Sequence, residues 1–391
     1  MRLYLTALNP TDALLEGFLP ATDELGLAAT VLTDRPGEWP TGVSVRQCAV
    51  RDPAAIVAAT AAEPPAALLS NSDHLQEATA VAAAKLGLPS KDPEAARRCK
   101  DKAAMRRTLA AAGLDPVRAV AVAPGATPVV PADIFPAVLK PRDGVASEDA
   151  YLVTDWRELA ARVTAIRRRH PKVALVVEEY LAGELRTYDT LGDGESLAVL
   201  GGWRTGLGPP PTFTEVSLDW APPPPAHDAG LRALLDALGA GFGACHTEYV
   251  VRPDGIRLIE VNDRLIGDRM DLILTDLLGT PLFAHVVRLH LGEPLAALHL
   301  PAPAAPGRHA RVEYVCADRS GRLTAAPGPV DRLHDGVRLS CRPMREVGRV
   351  AEHTGTNRDY LAALHGIGSD PTTVRAALTA FRDDLSWTIT G

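Results

Sequence analysis

Residues 245–268 read CHTEYVVRPDGIRLIEVNDRLIGD. Two runs of strand-forming residues, YVV and IRLIEV, flank the turn signal RPDG. Pro253 and Asp254 suit the centre of a type I turn, and Gly255 suits the left-handed position after it. This predicts a three-residue hairpin loop with a bulge. In that register Arg252 opposes Ile256, and Glu248 lies directly across from Glu260. Side chains alternate along a strand. His246, Glu248, Glu260, Asn262 and Arg264 therefore share one face. Thr247, Tyr249, Val251, Ile259 and Val261 share the other, mostly apolar face, and Cys245 falls with them.

Two carboxylates placed directly opposite each other repel, and a cation between them removes the conflict. The donors are all oxygens, two carboxylates and one amide, with no thiolate. A hard ion such as Mg2+ is expected, with Mn2+ as the alternative and Glu248, Glu260 and Asn262 as ligands. Mg2+ usually takes one or two protein carboxylates and completes its shell with water and phosphate oxygens, so a phosphate-bearing substrate is the natural partner. The plain alternative is a solvent-facing sheet with two unrelated glutamates. Asn262 and Arg264 on the same face weigh against it.

Upstream, RLYLTALN, TDALLEGFLPATDELG and LAATVLTDRP read as strand, helix, strand. The rhythm continues through AALLSNSD and HLQEATAVAAAKLG, which points to a parallel sheet with ligand room beyond the carboxyl ends of its strands. DPEAARRCKDKAAMRRTLAAAG (92–113) predicts one helix, capped by Asp92 and ended by Gly113. A proline-rich linker (123–136) precedes a compact unit over 137–185. A long proline-rich loop is expected at 206–228. Another loop, at 301–309, leads to a tail of short strands and a helix near 371–386.

The chain has 391 residues, 46% hydrophobic and 23% charged, with a formal net charge of −7. That is a globular composition. Its acidic balance disfavours nucleic acid and anionic membrane as partners. No apolar stretch approaches the ~20 residues of a membrane-spanning helix, and the N-terminus reads as a first strand, not a signal peptide. Five scattered cysteines indicate neither a zinc site nor a disulfide framework. A cytoplasmic location is the expectation.

Four segments in order, KDKAAMRRTLAAAGLDP, FPAVLKP, VVEEYLAG and HTEYVV…LIEVNDR, resemble the ATP-grasp superfamily over most of residues 90–280. The resemblance implies an α/β (α+β) ATP-grasp fold in three parts. These are an N-terminal Rossmann-like open parallel-sheet domain (1–95), a leading helix with a small mobile lid domain (96–185), and a C-terminal mixed-sheet domain with the metal-binding strands and a terminal subdomain (186–391).

It also implies roles. Lys102 and Lys140 would neutralise phosphate oxygens of ATP. Glu178 would accept from the adenine amino group, with Glu179, Tyr180 and Leu181 beside the ring. Ser147, with Gly144 and Ala146, would close a lid loop whose only glycine is Gly144. Glu184, Leu185 or Asp189 stands where an acidic ribose contact is usual. Arg264 would orient the transferring phosphoryl group or a substrate carboxylate, with Asp268 and Arg269 as weaker contacts. Thr212, Phe213 and Glu215 would border the acceptor pocket, and Arg204 would anchor a carboxylate. His246 reads as structural.

The implied reaction is ATP-dependent activation of a small-molecule carboxylate as an acyl phosphate. Coupling to an amine, with release of ADP, follows, as in ligases joining amino acids in natural-product or siderophore pathways. Bicarbonate-dependent carboxylation, or a catalytically silent nucleotide-binding protein, are the alternatives. A homodimer is compatible with all three.

Overall fold

A computed structural model describes residues 1–302 and 307–391. Residues 303–306 of the loop expected at 301–309 lie outside the described residues. Three sheets frame the cleft, and a fourth small one closes the tail.

The N-terminal sheet has the order Val45–Gln47, Ala28–Thr33, Arg2–Thr6, Ala67–Ser70, and every pairing is parallel. Its central strands are almost wholly buried and read as continuous apolar runs, as strands covered on both faces do. The following helix covers Ala13–Phe18 in wide π-type winding and continues as Leu19–Glu24. Pro20 sits just after the join. Its missing N–H removes one ordinary helical bond, which suits a locally widened turn.

Residues 92–113 form two helices, not one. Pro93–Lys100 ends at Asp101, and Lys102–Ala111 begins there. Asp101 is extended (φ −91°, ψ 99°), and its carboxylate caps the second helix by accepting from the N–H groups of Ala103 (3.0 Å) and Ala104 (3.1 Å). An aspartate just before a helical run is a start signal, and here it wins over the continuous pattern. The break presents Lys102 as the first residue of a new helix, and its N–H reaches the carbonyl of Arg142 at 2.9 Å.

A small antiparallel sheet follows, ordered Ala119–Val122, Leu175–Glu179, Ala137–Pro141, Tyr151–Val153. Ala137, Leu139, Leu175 and Val177 pack under the helix Trp156–Arg169. Alternation therefore turns Val138, Lys140 and Glu178 to the opposite face, with Val138 and Glu178 paired in register.

The large sheet has ten strands, and every pairing in it is antiparallel where a mixed sheet was expected. Phe242–Arg252 and Gly255–Asn262 form one edge, next to Glu184–Asp193. The loop expected at 206–228 is mostly ordered. Trp203–Leu207 and Glu215–Trp220 pair as a hairpin, and a helix starts at Pro225. The prolines occupy only its turns, while TEVSLDW between them joins the sheet interior. A core of Leu, Ile and Phe side chains, supplied largely by helices Met270–Leu278 and Leu282–His290, fills the space between the large and N-terminal sheets. The tail ends in the helix Pro371–Asp383 and a three-stranded sheet. Among the described residues no single helix is long and apolar enough to cross a membrane.

Candidate active site

The hairpin that opened the sequence reading forms, with a different turn. Arg252 pairs with Gly255 across a two-residue loop of Pro253 and Asp254, and Gly255 has φ +119°. A bulge at Ile259 then restores the count, so Glu248 still faces Glu260 and His246 still faces Asn262. The same bulge moves Ile259 off the apolar face, where the sequence placed it. It lines the cleft instead, while Tyr249, Leu258 and Val261 enter the core beneath.

All three large structural units contribute to one cavity of about 640 Å³. At one end Val138, Leu181, Leu185, Val250 and Ile259 make an apolar slot, with Glu179 and Tyr180 at its rim. Glu179 accepts from the backbone N–H of Arg118 at 2.9 Å. At the other end the loops after strands Arg2–Thr6 and Ala67–Ser70 supply Asn9, Thr11 and Asp73, at the carboxyl ends of the parallel strands.

The buried cations of the cavity are each held by a carboxylate. Lys102 Nζ lies 2.7 Å from Glu260 and donates to the carbonyl of Gly144 at 3.0 Å. Lys140 Nζ is 2.8 Å from Glu178. Arg106, unremarked in the sequence, shares that glutamate through Nε at 2.9 Å, and its Nη1 lies 2.6 Å from Asp115. Burial alone would raise the Glu178 carboxyl, but the charges of Lys140 and Arg106 outweigh it and hold it at about 2. Burial likewise opposes ionisation of Glu260, and Lys102 overcomes it, again to about 2. Lys140 itself is pulled down by burial and by its neighbours Lys102 and Arg106, despite Glu178. Lys102 and Arg106 lie four residues apart on one helix and so share a face. That spacing was the available signal for Arg106.

Glu178 is therefore engaged on both oxygens by cations and organises the charge at this end of the cavity. Glu184 is absent from the cavity wall. Its carboxylate is held by Arg186 and lies 4.0 Å from Arg204. Asp189 is buried against His246 Nδ1 at 2.6 Å. Neither is placed for a ribose contact, whereas Leu185 contributes to the apolar slot. Arg204, 3.6 Å from Asp219, also lies outside the cavity wall and anchors nothing there.

Glu248, Glu260 and Asn262 all face the cavity, and the Asn262 amide N–H donates to Glu260 at 3.1 Å. This leaves the amide oxygen of Asn262 unused by that bond. Two carboxylates and one amide oxygen across adjacent strands suit a hard divalent cation that completes its shell with water or phosphate. Among the described residues no cluster of three or more His, Cys, Asp or Glu gathers as a metal site, so the protein alone offers a partial shell. Next to them His246 is buried, and burial works against its charge. The Asp189 and Glu248 carboxylates more than offset this and raise its pKa to about 10.

Arg264 lines the cavity with Nη2 2.6 Å from Asp73. Asp268 lies beside it on the cavity wall, a solvent-exposed residue whose carboxyl is raised by its crowded surroundings against the pull of Arg264. Arg269 is tied to Asp12 (2.5 Å) and Glu16 (2.7 Å). Phe213 and Glu215 line the cavity, with the Phe213 and Tyr180 rings 6.4 Å apart. Burial and the nearby Glu248 raise the Glu215 carboxyl to about 8. Thr212 sits behind the wall against Gly355.

The loop 142–150 covers the site. Ser147 Oγ donates to the carbonyl of Phe213 at 2.9 Å, and Asn357 N–H donates to that of Ala146 at 3.2 Å. Ala146, Ser147 and Asp149 all have φ near +55°, a conformation costing a non-glycine residue roughly 1–2 kcal/mol. Such strain concentrates where a loop is shaped for function.

No family model matches the chain. It is similar to solved structures along essentially its whole length. The L-amino acid ligase of Bacillus licheniformis superposes with TM-score 0.81 at 20% identity, covering 100% of this chain and 99% of that one. The phosphoribosylglycinamide synthetase of Anaerococcus prevotii gives 0.72 at 12%, with the same coverage. The biotin carboxylase of Campylobacter jejuni gives 0.70 at 17%, over 99% of this chain and 92% of that chain. The chain has the ATP-grasp fold. In sequence it is 30% identical over 327 residues to "Uncharacterized protein y4rH" of Sinorhizobium fredii (strain NBRC 101917 / NGR234). That match covers 77% of this chain and spans 64% of the relative's length. In this chain the loop 142–150 of the small antiparallel sheet contacts the tail through Ala146 and Asn357.

Proposed function

We propose that the protein is an ATP-dependent ligase that activates a small-molecule carboxylate as an acyl phosphate and joins it to an amine. The carrying observation is that Lys102 and Lys140, the Glu248–Glu260 pair and Arg264 line one cavity together with an apolar slot and the N-terminal loops. The slot suits a purine ring, with Tyr180 and Leu181 at its edge. Lys102 and Lys140 are placed to neutralise phosphate oxygens as point charges. Glu248, Glu260 and Asn262 would hold Mg2+, which supplies neutralisation of the β- and γ-phosphates. Arg264, a planar fork, is suited to hold the reacting carboxylate.

In the first step a carboxylate oxygen attacks the γ-phosphorus, and the bond to the β,γ-bridging oxygen breaks, leaving ADP. In the second, the amine nitrogen attacks the acyl carbon, phosphate departs with the C–O bonding pair, and the nitrogen loses a proton. The chain's contribution is positioning and charge neutralisation. A covered site also keeps water from the acyl phosphate, and the loop 142–150 is placed for that.

The test is a screen of carboxylate and amine pairs for product, scoring ADP against AMP. ADP release dependent on both partners is expected. AMP release contradicts the acyl-phosphate route. Bicarbonate dependence without an amine requirement favours carboxylation, the reaction class of the biotin carboxylase relative. Nucleotide binding without ADP release across the panel indicates a silent binder. Glu260→Ala should abolish turnover and leave the fold intact.

A further inference from the structure

Most ion pairs of the cavity have an evident displacing ligand. Phosphate oxygens and a metal ion would separate Lys102 from Glu260, and a reacting carboxylate would separate Arg264 from Asp73. The pair of Arg358 and Glu148 has none. Arg358 lines the cavity from the tail, and its Nε and Nη2 grip both oxygens of Glu148 in the loop 142–150.

The segment presenting Arg358 is rigidly built. The buried carboxylate of Asp359 accepts from the N–H groups of Thr354 (3.0 Å) and Gly355 (2.6 Å) and from the Thr354 hydroxyl (3.1 Å). Thr356 Oγ accepts from the N–H of Arg358 at 3.2 Å, and Asn357 Oδ1 accepts from that of Glu215 at 3.0 Å. The loop is thus pinned to the strand that carries Glu215. Arg358 is close enough to Asp268 for its charge to pull that carboxyl down. Neither Glu215 nor Asp268 makes a side-chain hydrogen bond among the described residues. Beyond Arg264 the cavity therefore offers a guanidinium beside two carboxyl groups that no side chain or backbone group engages. Its chemical complement carries one carboxylate and one ammonium.

We propose that Arg358 binds the free carboxylate of the amine-bearing substrate, with Glu148 holding that place until the substrate arrives. The acceptor is then an amino acid, not a simple amine, and the product keeps a free carboxylate. The inference rests on the ligase reading above. A guanidinium already held in bidentate geometry needs no reorganisation to take a second carboxylate. An ion pair with side chains 56% and 43% exposed is weak enough to exchange.

The test uses the full chain, MgATP and a carboxylate that supports ADP release. Each standard L-amino acid is compared as acceptor with its carboxamide and its decarboxylated amine. The wild type should prefer the acid over the amide by roughly 100-fold in kcat/KM, since a site built for a polar group rejects the analogue lacking it. Arg358→Gln should raise KM for the acid about 10- to 100-fold, change the amide far less and so erase the preference. Glu148→Gln should leave the preference intact and lower KM for the acid. Equal losses with acid and amide in both variants would make the pair a mere latch and overturn the inference, as would a wild type indifferent to the carboxylate. Either result leaves the ligase reading standing. A wild type that releases no ADP with any pair removes both.

Discussion

Arg106 is the residue whose removal should be felt most widely. Its guanidinium joins Glu178 to Asp115, and the side chains are 4%, 4% and 1% exposed. Asp115 in turn accepts from the backbone N–H of Leu258 at 3.1 Å, so this network ties the helix Lys102–Ala111 and the small sheet to the metal-side hairpin. Arg106→Met fills similar space but strands Asp115 with a single donor. Removing one partner of a buried pair costs about 3–5 kcal/mol. At roughly 2.1 cal/mol/K per residue, that is about 4–6 °C in Tm if all 391 residues unfold together, and about 7–12 °C if a unit of roughly 200 residues does. Asp115→Asn in the same chain should recover much of the loss. It removes the stranded charge and suits the φ of +49° at that position, since asparagine tolerates the left-handed region. Scanning calorimetry of wild type, both single variants and the double variant closes the cycle. A loss under about 1 kcal/mol for Arg106→Met, or strictly additive effects in the double variant, would refute the reasoning.

Glu260→Gln should free Lys102 from its carboxylate. ATP binding measured calorimetrically in EDTA should therefore strengthen or hold, while the gain on adding Mg2+ should vanish. Asp101→Ala should lower stability by about 1 kcal/mol through loss of the helix cap, and should weaken nucleotide binding because the cap sets the helix that starts at Lys102. His246 has a folded-state pKa raised from 6.5 to about 10. Its pairing with Asp189 thus contributes stability fully present below pH 6.5 and lost as pH rises towards 10. In metal-free protein its ring protons should show no NMR titration between pH 5 and 8, and an ordinary midpoint near 6.5 would contradict the pairing.

What was legible in the sequence was whatever local pattern decides. The alternation of strands and helices over the first 90 residues, and the charged face of the 245–268 hairpin, follow from periodicity and turn chemistry. The register of Glu248 against Glu260 survived a wrong turn type because the bulge at Ile259 compensated for the shorter loop. The reading failed where a local signal had two meanings. Asp101 fell inside one expected helix and is a cap between two. Prolines at 209–211 and 222–225 suggested one loop and bound a strand. It failed again wherever a role depends on distant chain segments. Nothing near Arg106 announces Asp115 or Glu178, and nothing near position 358 announces Glu148, which lies 210 residues away.

The electrostatics of the cavity explain why so many of its groups are paired before any ligand arrives. A buried ammonium or guanidinium without a partner would lose its charge or destabilise the fold. Sharing Glu178 between Lys140 and Arg106, with Asp115 on the other side of Arg106, solves this with two carboxylates for two cations. Glu178 stays ionised at neutral pH, so it keeps both cations charged and holds Lys140 at the cleft wall. At the metal side the carboxyls crowd one another. Beyond burial, Glu248 helps to raise the Glu215 carboxyl to about 8, and a cation set among these groups would relieve that repulsion. A triphosphate tail with its metal ion brings both signs, so it can take over the partners of Lys102 and Lys140 and at the same time relieve the carboxyls of Glu248 and Glu260, which a neutral ligand cannot do. The arrangement also argues against replacing Glu178 by glutamine as a mild change. Without its charge, Arg106 and Lys140 would repel across a buried gap, and the helix Lys102–Ala111 would part from the small sheet before any nucleotide bound.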